Sequence, residues 1–347
     1  MVALEVAVVH PDELGPGEVR LWTSFQRRAP LTSSPFLSAT FTQAVGRARR
    51  DARVAVIEVD HRIEAFLPFQ VRRGMAMPIG WPANDLEGFI RSGVAFDARQ
   101  VVRRAHLRGW RFDHALAEEA ALVAHQYDGT TLDCPVIAAD DFPTYLASRT
   151  RSVRRVAGRV RDDLERAVGP ICFEWRSTDH RHLQTLIEWK SRRYEGVAKL
   201  FRARWAAQVV EELAMSEAED CTGILSVLSA GSQLVAVELK LAGPEGVALW
   251  LPSYESQLAR YSPGIIGLLA SVEAAVGRGI TWFDLGYGQH DYKLRLATTS
   301  YPVAGGAVWA RRTEALARSL YRRLLVTRPG RWPPAGGPGE APRKTRP

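Results

Sequence analysis

The chain reads as an α/β (α+β) protein of two domains, each a mixed central sheet flanked by helices. Three observations carry that reading. Its 347 residues are 46% hydrophobic, enough for two cores and long for one. Short apolar runs separated by Gly, Pro, Asp and Ser turns alternate with stretches of helical periodicity. The order of elements in the first half then recurs in the second, although no residue-level repeat accompanies it.

In chain order, residues 35–45 are expected to be helical. Residues 53–59 and 63–69 read as strands around the turn Asp60-His61, and 75–80 as a third. After Trp81-Pro82, the run Asn84-Asp85-Leu86-Glu87 reads as the cap of a short helix. Asp140-Asp141-Phe142-Pro143 opens a long helix with Leu146, Val153, Val156, Val160 and Leu164 on one face and seven arginines, Arg154 among them, mostly elsewhere. Leu183, Leu186, Ile187 and Trp189, then Trp205, Val209 and Leu213, mark two further helices joined by a short flexible turn at 195–199. A three-strand meander follows at 223–228, 234–241 and 247–251, with turns at 230–232 and 243–246. Ser262 and Pro263 suit the N-cap and first position of a helix, Ile265, Leu268, Leu269, Val272 and Val276 recur at helical spacing, and Gly279 suits its stop. The expected division is 1–139, 140–327 and a disordered basic tail, 328–347.

The net charge of +8 is concentrated at the C-terminus. Residues 318–347 hold eight basic side chains and one acid, a local charge of +7 that leaves +1 for the rest. A near-neutral body argues against a large nucleic-acid surface. The Pro-, Gly- and Arg-rich tail cannot bury enough surface to order itself, and its charge suits an acidic partner or a membrane surface. Cys134, Cys172 and Cys221 form neither a C-x-x-C pair nor a metal spacing and read as ordinary core residues of a reduced, cytoplasmic protein; no metal is expected. No apolar run reaches transmembrane length, and the first residues lack the order of a signal peptide.

Two features point to chemistry. The helix from Pro263 directs its N-terminus at the end of the preceding strand, where unpaired amides and the helix dipole suit a pyrophosphate or another anion. There is also no G-x-S-x-G elbow and no Cys-His pair, so a covalent hydrolase has little support and direct attack fits better. Asp284 ends an apolar strand, where desolvation would make it a base; capping the Gly286-Tyr287-Gly288 turn is the structural alternative. Glu238, mid-strand between Val237 and Leu239, is a second possible base.

Tyr261-Ser262-Pro263-Gly264, a helix ending Arg278-Gly279-Ile280, then Phe283-Asp284-Leu285-Gly286 and Tyr292-Lys293-Leu294-Arg295 resemble the CelD/BcsL-type branch of the GNAT acetyltransferases, which is associated with cellulose biosynthesis and related to the Fem aminoacyltransferases. The likeness spans roughly 140–312, with weaker traces at Ser34-Pro35-Phe36-Leu37-Ser38 and Leu67-Pro68-Phe69. It implies two tandem GNAT-like domains and direct acyl transfer from acetyl-CoA or another acyl-CoA, as co-substrate, to an amine. Ser253, Tyr254 and Glu255 at the strand end, with Arg260, Tyr261, Gly264, Ile265 and Ile266 at the helix start, would hold the donor. The family's usual Gln/Arg-x-x-Gly-x-Gly/Ala loop is replaced by Arg260-Tyr261-Ser262-Pro263-Gly264, one residue out of register.

Tyr292 falls where many such enzymes protonate the departing thiolate, with Tyr287 and His290 as rivals. Trp189, Lys190 and Tyr194 would shape the acceptor pocket, Arg154 would reach an anionic group across the cleft, and Lys293 would pair with a phosphate or a nearby carboxylate. The implied acceptor is a small-molecule amine of a sugar, nucleotide-sugar or cell-envelope precursor, in the company of envelope or polysaccharide biosynthesis proteins. Fem-like transfer from tRNA to a peptidoglycan precursor, or a non-catalytic scaffold of a polysaccharide synthase, are the alternatives.

Overall fold

The computed structural model describes residues 3–28, 31–118, 131–288 and 290–311. The expected basic tail and the end of the second expected domain lie outside them. Alternation of apolar side chains along the strands builds a 14-stranded mixed sheet covered by helices on both faces. In the first half, β1 (Leu4–Val9), β2 (Ala52–Val59), β3 (Arg62–Arg72) and β4 (Met75–Pro78) run antiparallel in sequence order, and β4 lies parallel to β6 (Gly109–Leu116). In the second half, β8 (Ile171–Glu174), β10 (Cys221–Ala230), β11 (Gln233–Ala242) and β12 (Val247–Tyr254) repeat the antiparallel series, and β12 lies parallel to β13 (Trp282–Asp284). Two short strands, β5 (Ile90–Arg91) and β9 (Glu217–Ala218), pair at the margins with β3 and β10.

The halves are joined through an exchange of strands. β7 (Thr131–Ala138) closes the first half in sequence yet pairs with β13, while β14 (Thr299–Trp309) returns to pair with both β6 and β7. The sheet is therefore continuous across residue 139.

Helices α1 (Pro16–Gln26) and α2 (Ala39–Ala48) cover one face of the first half, and α3 (Ala98–Arg104) the other. The expected single helix from Asp140 is broken. Arg149 and Thr150 adopt extended backbone, separating α4 (Phe142–Ser148) from α5 (Arg151–Arg155), which continues through a π-helical turn (Val156–Val160) into α6 (Arg161–Val168). Thr150 caps α5 through Val153 N–H, so a local side-chain bond interrupts the periodicity. α7 (His180–Arg193) and α9 (Arg204–Ala214) place Leu183, Leu186, Val209 and Leu213 on the face of β11 that carries Val237, Leu239 and Leu241. The segment expected as a flexible turn is instead a helix, α8 (Glu195–Phe201).

α10 (Pro263–Val276) covers the other face and is apolar nearly all round, as befits a helix buried between the sheet and α4. Its end matches the expectation: Ile280 N–H donates to the Ala275 carbonyl, with Gly279 at φ +77°. One core runs from Trp22, Phe36 and Phe41 of the first half to Leu186, Val237 and Trp250 of the second. Trp250 meets Phe36 and Phe41 edge-on at ring distances of 6.0 and 6.1 Å and donates Nε1–H to the Ala83 carbonyl at 2.7 Å.

Two smaller expectations fail. Asn84 to Glu87 form no helix. Glu87 instead accepts the Asp113 and His114 amides, so this segment is pinned to β6. Cys172 is exposed, because β8 lies at the sheet edge and turns it outward, whereas Cys134 and Cys221 are buried. No helix among the described residues is long and apolar enough to cross a membrane, and no group of His, Cys, Asp or Glu among them could hold a metal.

Candidate active site

The sheet opens between β12 and β13. Their parallel pairing is limited to Val247 with Phe283 and Ala248 with Asp284. Beyond it Leu285 N–H turns to the Pro135 carbonyl of β7, while β12 continues alongside β11 to Tyr254. A bulge at Trp250, between the pairs Lys240/Leu249 and Leu239/Leu251, bends β12 away as it goes. The result is a wedge whose β12 wall has no strand partner.

At the end of β12, a 3-10 turn (Ser256–Tyr261) leads to Ser262, which takes left-handed backbone (φ 53°, ψ 45°) and turns the chain into α10 without a side-chain cap. The expected row of donor amides is mostly engaged. Glu255 N–H donates to the Val235 carbonyl, and Ile265 and Ile266 N–H both donate to the Ser262 carbonyl at 2.9 and 3.1 Å. Pro263 has no N–H, so Gly264 presents the first-turn amide that has no intrahelical acceptor. Ser253 and Tyr254 are buried on β12, and Arg193 stacks on the Tyr254 ring at 3.9 Å. Arg260 is exposed and bonded to the Tyr261 hydroxyl at 2.7 Å.

On the α10 face of β11, residues two apart share a side, which brings Glu238 and Lys240 together. Both are buried. Lys240 Nζ donates to Ser226 Oγ at 2.6 Å, Ser271 Oγ at 2.9 Å and Glu238 Oε2 at 3.2 Å; Ser271 Oγ also donates to Glu238 Oε2 at 2.5 Å. Burial pulls the Lys240 ammonium below its ordinary range while Glu238 pulls it back. Glu238 Oε1 has no hydrogen-bond partner and faces Gly267 of α10, where a Cβ would lie 3.4 Å from it. One carboxylate oxygen is thus clamped and the other left bare.

A second cluster adjoins it. Lys190 of α7 is 1% exposed, and its Nζ has no hydrogen-bond partner; the nearest compensation is the Tyr194 ring, 5.7 Å from Nζ at its centroid. Burial, with the Lys293 charge, pushes its ammonium down to about 8, against the opposing pull of Asp85. Tyr292, on α11 (Asp291–Leu296), is buried with its hydroxyl unpartnered; burial first, then neighbouring Tyr194, Glu238 and Asp85, hold it in the protonated form. Lys293 spends its ammonium on the carbonyls of Gly286 (3.0 Å) and Tyr287 (2.7 Å). Asp85 comes from the first half and brings Oδ2 so close to Gly286 that a Cβ there would sit 2.8 Å from it. Burial pushes the Asp85 carboxyl up to about 7, with Lys293 and Lys190 opposing and Asp284 adding to the rise.

The sequence-predicted residues therefore separate. Glu238, Lys190, Tyr194, Tyr292 and Lys293 come together around the wedge. Asp284 lies beside it with both oxygens occupied: Oδ1 accepts the Gly286 amide at 2.8 Å and Oδ2 the Tyr301 hydroxyl at 2.6 Å. Trp189 packs against the main core. Arg154 is exposed and bonded to the Ala147 carbonyl of α4, away from the cluster. Sequence reasoning missed Asp85, Lys240, Ser226, Ser271 and Tyr301. A charged pair at positions i and i+2 of an otherwise apolar strand was the available signal for Lys240; no local signal marked Asp85.

Known proteins share this fold. The fold resembles that of FemX, with a TM-score of 0.57 at 10% identity over 90% of this chain and 99% of that one. It also resembles the C-terminal DUF2156 domain of an Agrobacterium fabrum protein (0.53, 12%, 88% and 95%) and a conserved protein of unknown function from Bacteroides thetaiotaomicron (0.53, 11%, 88% and 100%). At such identities the likeness concerns the fold alone. No curated protein matches the chain in sequence. Residues 151–294 match the family model described as an acetyltransferase (GNAT) domain, a span that holds β8 to β13, α10 and every side chain named above for the site except Asp85 and Tyr301. Over residues 151–294, somewhat less than half of its length, the chain is thus similar to the acetyltransferase (GNAT) domain family.

Proposed function

We propose that the chain is an N-acyltransferase of the CelD/BcsL type that moves an acetyl or longer acyl group from acyl-CoA to an amine by direct attack. The carrying observation is the wedge between β12 and β13, flanked by the α10 start and by three buried polar atoms without partners: Lys190 Nζ, Glu238 Oε1 and Tyr292 Oη. Burying such groups unpaired costs free energy that folding alone does not repay, which is the usual mark of a site kept for a ligand.

In this reading the thioester lies in the wedge, its carbonyl facing the free edge of β12 and its pyrophosphate near the Gly264 amide and Arg260. The amine enters from the side of α7 and α8. Its nitrogen attacks the carbonyl, Glu238 Oε1 receives the proton, and collapse of the tetrahedral intermediate breaks the C–S bond. Tyr292, held protonated, supplies the proton to the thiolate. Lys240 and Ser271 keep Glu238 in place. Asp284 maintains the Gly286 turn, and Tyr301 maintains Asp284. The acceptor fits the amine of a sugar, nucleotide-sugar or envelope precursor in the cytoplasm, with 1–139 and 140–327 as tandem units. An aminoacyl group carried by tRNA would use the same attack but would need no CoA site.

Calorimetric titration with acetyl-CoA, longer acyl-CoAs and CoA, on the parent and on Gly264→Val, tests the donor site. Saturable binding weakened by the substitution is expected. Glu238→Gln should retain binding and lose about 10²- to 10⁴-fold in turnover. Full turnover in Glu238→Gln, or no binding of any CoA species, would remove the reading.

A further inference from the structure

Two opposite charges in the second cluster stand close enough to feel one another without forming an ion pair. Lys190 Nζ has no hydrogen-bond partner and no ion pair among the described residues. The Asp85 carboxylate, half-buried, forms no ion pair among the described residues, and its Oδ2 rests against Gly286. The surrounding charges are otherwise engaged. Lys293 holds two carbonyls, Asp284 holds Tyr301 and the Gly286 amide, and Arg193 lies on the Tyr254 ring. In a medium poorer than water in screening, opposite charges gain most by closing on each other. A fold that holds them apart, one from each half of the molecule, leaves each without the counter-charge that a ligand carrying the complementary pair would supply.

Resting on the acyltransfer reading above, we propose that the acceptor is an amine that bears its own anionic group. A carboxylate or phosphate on the acceptor meets Lys190, and its ammonium is received by Asp85 before the neutral amine is presented to the thioester. Tyr292 lies within electrostatic reach of both Asp85 and Glu238, and on this proposal the nitrogen passes from the residue that receives it to the one that takes its proton. The first half, which lies outside the acetyltransferase match, thereby contributes to acceptor recognition. Lys190 and Asp85 are positioning residues for that acceptor.

The test uses the full chain with acetyl-CoA and follows thiol release with matched amines: glucosamine 6-phosphate against glucosamine, and alanine against ethylamine. In at least one pair the anionic member should be favoured by about tenfold or more in kcat/KM, and the pair that responds identifies phosphate or carboxylate. Lys190→Met should erase that preference, mainly by raising KM, and Lys190→Arg should restore part of it. Equal turnover within both pairs, or a preference that survives in Lys190→Met, overturns the proposal. So does a protein that binds acetyl-CoA and acylates none of the four. Failure to bind acetyl-CoA strikes the acyltransfer reading itself, and the proposal with it.

Discussion

Replacing Lys190 by Met should make the protein more stable while making it a worse catalyst. The side chain is 1% exposed, its Nζ has no hydrogen-bond partner, and burial has driven its ammonium from an ordinary value of 10.5 down to about 8. At pH 7 the lysine is charged in both the folded and unfolded chain, so folding bears the full cost of the shift, about 3 kcal/mol. Between pH 8 and 10.5 the unfolded chain binds more protons than the folded one. Parent stability therefore rises with pH across that window, and the cost is gone above it. Met has a similar length and no charge to bury. Urea unfolding of parent and variant from pH 6.5 to 10.5 should show Lys190→Met ahead by up to about 3 kcal/mol at pH 7, with the gap closing as pH rises. A variant less stable than its parent at pH 7, or a gap that ignores pH, would refute the assignment of Lys190 as a buried charge without a partner.

Other outcomes can be checked on the same material. Lys240→Met should destabilise by about 3–5 kcal/mol because it strands the buried Glu238 carboxylate, and Glu238→Leu combined with it should recover much of that loss in a double-mutant cycle. The Asp85 carboxyl, raised to about 7, favours folding below its unfolded value of 3.8 and loses that contribution as pH climbs through 7. Asp85→Asn should therefore flatten the pH dependence of unfolding between 4 and 7 and be the more stable protein above it. Gly286→Ala combines a left-handed backbone (φ +74°) with a Cβ placed 2.8 Å from Asp85 Oδ2 and 3.2 Å from the Leu249 carbonyl; a loss of about 1–3 kcal/mol is expected in thermal unfolding.

Much of the second half was legible because local rules and tertiary structure agree there. The β10 to β12 meander is written in alternating apolar residues and turns, and α10 in a Pro at its first position, a continuous apolar surface and a Gly stop. Legibility failed where a distant partner overruled the local signal. Asn84 to Glu87 carry helix-capping residues, yet Glu87 is drawn to two amides of β6, 26 and 27 residues away. The segment after Tyr194 reads as a turn because of Gly196, but an Lys199–Glu195 pair at helical spacing supports α8. Asp284 stands out in the sequence for its apolar surroundings. Those surroundings also hold Tyr301, which arrives from β14 and which no local pattern connects to it.

The exchange of β7 and β14 sets a schedule for the chain's own synthesis. β6 is translated well before its neighbour β14, and the backbone groups it will offer to residues 303–309 stay open until nearly all of the described chain has been made. β13 can close on β7 earlier, but β7 still waits on its other side for the same late strand. Neither half can complete its sheet alone on the ribosome, so folding is dominated by contacts of long sequence separation and is expected to be slow. Until β14 docks, two exposed strand edges are available to other chains. Expression slowed by low temperature should therefore raise soluble yield, and truncation before residue 299 should convert the protein into an aggregating one.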